Sequence, residues 1–119
     1  MVDYKELKGY VDSKSRELIR QVYLACSKRT NELQVTEPVH YIPFAERKEA
    51  CENKKWSPAV EHNRKVQEGI GILAESSVDK VNALADNCLV GLIDDPVIAF
   101  RDLERELLEQ IGRHEVEVI

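Results

Sequence analysis

The sequence predicts an all-α fold, an antiparallel helical bundle of three long helices plus one short helix. Three observations carry that prediction. Apolar residues recur at steps of three, four and seven along most of the chain, the spacing of one helical face. Cap residues followed by Pro, or by Glu three positions on, stand at the heads of these stretches. Aromatic side chains make up only 6% of the chain against 43% apolar overall, a mix that suits thin helical packing better than a large sandwich. At 119 residues the chain fits one domain, 1–119.

The first helix is expected over about 3–33. Asp3 followed by Glu6 is a capping-box pattern. Tyr4, Leu7, Val11, Leu18, Val22, Ala25 and Leu33 then form one stripe. Residues 34–57 break the pattern, because Pro38 and Pro43 push their preceding residues out of the α region. Val35, Val39, Tyr41, Ile42 and Phe44 are too apolar for a free linker, so an extended lid across the bundle is expected. The short helix follows over about 44–53. Ser57-Pro58 is a cap-then-proline start for a helix over 57–90, lined by Ala59, Val66, Ile70, Leu73, Ser77, Val81, Leu84 and Cys88. Two four-residue steps follow one another at Ser77 and Val81. Gly91 suits a left-handed stop, with Leu92 placed to add a hydrophobic cap. Asp95-Pro96 opens the last helix, over 95–112, with Val97, Phe100, Leu103, Leu107 and Ile111 toward the core and Gly112 at its end. The tail HEVEVI alternates like a strand but has no second strand to pair with.

Length poses a geometric choice. A helix over 57–90 runs about 50 Å at 1.5 Å per residue, whereas a compact chain of this size has a radius of gyration of about 13–14 Å. Either the helix bends near Gly69, Gly71 or Ser76-Ser77, or the domain is elongated. An elongated bundle has a thin core and tends to pair with another chain.

Charge and cysteine usage narrow the class. The net charge of −5 repels nucleic acid on average. The acidity sits in 69–119, which holds eleven acidic and four basic side chains. Cys26, Cys51 and Cys88 are odd in number and widely spaced, which reads as reduced thiols in a cytoplasmic protein. The N-terminal MVDYKELKGY lacks the apolar core of a signal peptide. The longest nearly apolar run, 88–93, is far too short to span a bilayer.

No motif specifies a reaction. Gly69-Ile70-Gly71 has no strand before it and no third glycine, so it reads as a bend or a close helix approach rather than a phosphate loop. His40, His62 and His114 lack the paired spacing of metal ligands. No matched acid, base and nucleophile can be picked out, so no catalytic residue, metal or cofactor is assigned. One candidate binding cluster stands out: Tyr41, Arg47, Lys54, Lys55, Trp56, Arg64 and Lys65, cations beside aromatics of the kind that hold an anionic or nucleotide-like molecule. Glu46, Glu49, Glu52 and Glu61 interleave with it and cancel much of its field. The acidic, amphipathic last helix suits packing between bundles. The sequence therefore points first to a non-enzymatic assembly or adaptor module, forming a homo-oligomer or binding a partner protein through helix faces. A small-ligand-binding bundle with its site near 41–65 is the alternative.

Overall fold

The computed structural model of the protein describes residues 3–35, 48 and 58–115. Three helices make up the described fold: α1 (Tyr4–Leu33), α2 (Pro58–Leu89) and α3 (Pro96–Arg113). The expected short helix over 44–53 and the lid lie outside the described residues, apart from Lys48 within the one and Gln34 and Val35 at the head of the other.

Local chemistry explains where the helices stop and start. Asp3 accepts the Lys5 N–H at 3.1 Å and satisfies one orphan donor of α1. Only this half of the expected capping box forms, since Glu6 makes no return bond. Asp95 accepts from both Val97 and Ile98 N–H, at 3.1 and 3.3 Å, and Pro96 supplies a first residue that has no N–H to satisfy. Gly91, at φ +81°, closes α2 in a Schellman motif: Leu92 N–H donates to Asn87 C=O at 2.9 Å and Gly91 N–H to Cys88 C=O at 3.3 Å. Leu92 nevertheless stays 72% exposed, so the backbone motif forms without the expected hydrophobic cap. α3 ends at Arg113, one residue past Gly112 and within a residue of expectation, with His114 as the cap.

The helices run up, down, up. His62 Nε2 donates to the Leu33 carbonyl at 3.0 Å, which sets the start of α2 against the end of α1. Tyr10 packs edge-on against Phe100, ring centroids 6.3 Å apart, and Arg29 Nη2 donates to His114 C=O at 2.9 Å, so α3 lies parallel to α1. α2 is one uninterrupted helix, and elongation resolves the length problem. The molecule measures 68 × 24 × 22 Å with a radius of gyration of 19.9 Å.

The core is a single column formed by the three stripes. Val11, Leu18, Val22 and Cys26 of α1 meet Val66, Ile70, Leu73, Ala74, Val81 and Cys88 of α2, and Phe100, Leu107 and Ile111 of α3. Consecutive four-residue steps occur on every helix, at 18–22–26, 73–77–81 and 103–107–111. The His62–Leu33 and Arg29–His114 contacts place all three runs at about the same level. Such a doubled step spreads eleven residues over three turns, about 3.67 per turn, and locally unwinds a left-handed supercoil. Ser77 occupies this level fully buried, and its hydroxyl donates to Leu73 C=O at 2.8 Å.

Two residues assigned to the stripes are not in the core. Tyr4 is 60% and Val97 58% exposed. Tyr4 lies in the first turn of α1, which overhangs the end of α2. Val97 lies in the first turn of α3, on the edge of the stripe that Phe100 and Leu107 centre.

Candidate functional site

Of the seven candidate ligand-binding residues, Tyr41, Arg47, Lys54, Lys55 and Trp56 lie outside the described residues. Arg64 and Lys65 stand on the second turn of α2. The Arg64 guanidinium is held by Glu61 at 2.6 and 3.1 Å and by Glu68 at 3.0 Å. That hydrogen bonding pulls the Glu61 carboxyl below its ordinary range and raises Arg64 above its own. A cation shared between two carboxylates presents little net field to an anion. Lys65, half-buried beside it, forms no ion pair among the described residues.

The far end of the bundle, where α1 finishes and α2 begins, is a polar junction. The Asn63 side chain pairs both ways with the Val35 backbone, accepting from its N–H at 2.9 Å and donating to its carbonyl at 3.4 Å. His62 holds Leu33, and Arg29 ties the end of α3 to α1 while pairing with Glu32 at 3.3 Å. Gly69 has a definite purpose here, since a Cβ on it would stand 3.3 Å from His114 Nε2. That is a contact with one side chain, not a close approach of helix backbones. Gly71 meets nothing within 4 Å and has no such role. His62, Asn63 and Arg29 thus fasten separate segments together at this end.

Thiol chemistry finds no support at the two described cysteines. Cys26 and Cys88 are free and buried, and burial pushes both thiols above the ordinary cysteine value. Among the described residues no group of three or more His, Cys, Asp or Glu side chains is placed to hold a metal ion. No helix among them is long and apolar enough to cross a membrane.

The opposite end holds the head of α1 and the α2–α3 turn. Tyr4, Val90, Leu92, Val97 and Ile98 are exposed by 60, 69, 72, 58 and 45% respectively. Five large apolar side chains thus gather within two helix heads and one turn. Below them a groove of about 230 Å³ runs between α1 and α3, lined by Tyr10, Leu18, Gln21, Val97, Phe100 and Arg101 among others. Gln21 Oε1 is buried there without a hydrogen-bond partner. The other exposed large apolar residues are Tyr23, Leu24 and Ile72 along the bundle and Val35 and Val60 at its other end.

Phase around a helix does not report position along the bundle, so the stripes alone do not point to the residues at this end. A signal was available for two of them. Val90 and Ile98 fall out of phase with the stripes of α2 and α3, so each needs a reason other than the core. Comparison with family models, with curated proteins and with solved structures finds no match for this chain.

Proposed function

We propose that this protein is a non-enzymatic assembly module that self-associates through exposed helix surfaces. The observation that carries the reading is the concentration of Tyr4, Val90, Leu92, Val97 and Ile98 at one end of the bundle. Apolar surface gathered in one place costs free energy in water, at about 25 cal/mol per Å², and on soluble monomers such patches commonly mark interaction sites. The thin, 68 Å long shape supports the same conclusion. Among the described residues a single column of core side chains leaves much helix surface exposed, and association is one way to cover more.

Solution mass by light scattering across a concentration series tests this. The mass is expected to rise above the 13.6 kDa of one chain at micromolar concentration. A mass of one chain throughout the series contradicts the proposal.

A further inference from the structure

We infer that the apolar turn end is a docking surface for a basic, amphipathic segment of a partner protein. The inference goes beyond self-association: it takes the same end as the contact surface and names a partner that fits it better than a second copy. Charge makes the distinction. Asp3, Glu6, Asp86, Asp94 and Asp95 stand among the exposed apolar residues with only Lys5 and Lys8 beside them, five acids to two bases. This end therefore carries −3, whereas the other charged residues described, twelve acidic and twelve basic, sum to zero. The whole net charge of the described residues is gathered where the apolar side chains are. Helix dipoles do not reverse its sign, since two N-termini and one C-terminus leave about half a positive charge between them.

All seven of these charged residues are exposed, and none forms an ion pair among the described residues. The long sides of the bundle instead satisfy many of their charges internally, as in Lys14–Glu17, Lys80–Glu106 and Arg105–Asp102. Acid and apolar group are neighbours at the turn end. Asp86 lies one turn before Val90 on the same face of α2, and Asp94 follows Leu92 by two residues in the turn. A partner segment that brings apolar side chains and cations together meets both. A second copy brings the same −3 to the contact, which opposes self-association there and keeps it weak. The patch also continues into the groove between α1 and α3, because Val97 belongs to both and Tyr10 and Phe100 line the groove beneath it. The unpartnered Gln21 Oε1 inside is an acceptor. Lys and Arg side chains are donors without an acceptor, so one class of side chain satisfies the carboxylates outside and this amide oxygen within.

Anisotropy titrations of three labelled synthetic peptides against the full chain test this, each peptide of about 18 residues, five helical turns. The first has a Leu face and a Lys/Arg face, the second the same Leu face with Glu for the cations, and the third the same cations with Ser for Leu. The first is expected to bind at micromolar concentration and the other two at least tenfold more weakly. Raising the salt from about 50 to about 500 mM should weaken the first at least tenfold, as screened charges require. In the protein, Asp86→Asn with Asp94→Asn, and Leu92→Ser with Ile98→Ser, should each weaken binding of the first peptide at least fivefold. Glu75→Gln with Asp79→Asn removes the same charge from the side of α2 and should leave binding unchanged, and circular dichroism checks that each variant folds. Equal binding of the first peptide and either control, or an equal loss in the Glu75/Asp79 and Asp86/Asp94 variants, overturns the inference. Solution mass separates it from the function proposed above. A chain that binds the basic peptide but never exceeds the mass of one chain removes self-association and leaves the docking surface standing. A chain that self-associates but does not bind the basic peptide overturns the docking surface alone.

Discussion

Truncating Leu107 to Ala removes three carbons from the most enclosed position on α3, a side chain with no exposed surface. At about 0.8 kcal/mol per buried methylene, the transfer loss alone is about 2.4 kcal/mol. A cavity contribution adds to it, because a fully enclosed site in a packed core column collapses only in part. The expected cost is therefore about 3–4 kcal/mol, within the range measured for buried Leu→Ala changes. A domain of this size holds about 5–15 kcal/mol in all, so the variant folds but its melting temperature falls by roughly 12–16 °C. Leu103→Ala, at a partly buried position one turn away, should cost about half as much. Urea unfolding followed by far-UV circular dichroism measures both, at one fixed protein concentration so that association does not contribute. A cost below about 1 kcal/mol for Leu107→Ala, or a larger cost for Leu103→Ala, refutes the packing described for α3.

The glycines should separate into three outcomes in thermal melts. Gly71→Ala has open space and should stabilise by about 1 kcal/mol through helix propensity, whereas Gly69→Ala should gain less because His114 must shift. Gly91→Ala should cost about 1–2 kcal/mol, since its φ of +81° is strained for any residue with a Cβ. In a chain carrying Cys51→Ser, the remaining thiols should react with a disulfide reagent only as fast as the bundle opens. Their raised pKa and burial leave little accessible thiolate at neutral pH. Rapid reaction in the folded chain would show that Cys26 or Cys88 is not in the core.

Much of the fold was legible because helix ends and helix faces are written locally. Asp95-Pro96 and Gly91 act through backbone donors and dihedral freedom within a few residues, so the starts and stops of α2 and α3 fall within a residue of expectation. Cys26 and Ser77 could be placed near the core from their phase alone. The exposure of Tyr4 and Val97 could not, because phase says which way a side chain points and not whether a neighbouring helix extends far enough to cover it. Whether α2 bends or the domain elongates also depended on tertiary contacts, above all the His62–Leu33 and Arg29–His114 bonds between distant residues. At the candidate ligand site, Glu61 was already expected to cancel part of the field, while the share of Glu68, four residues after Arg64 on the same helix face, entered only with the structure. The apolar turn end emerged only once three elements were brought together.

Amide hydrogen exchange at low and high protein concentration tests the central claim most directly. If the chains associate through the turn end, protection should rise with concentration at residues 4–10 and 86–98. At short labelling times, before global opening contributes, it should stay constant at 66–81 and 103–111, whose amides the core column already protects. Protection that does not depend on concentration at the turn end, or that rises instead along the flanks of α2 and α3, would contradict the account.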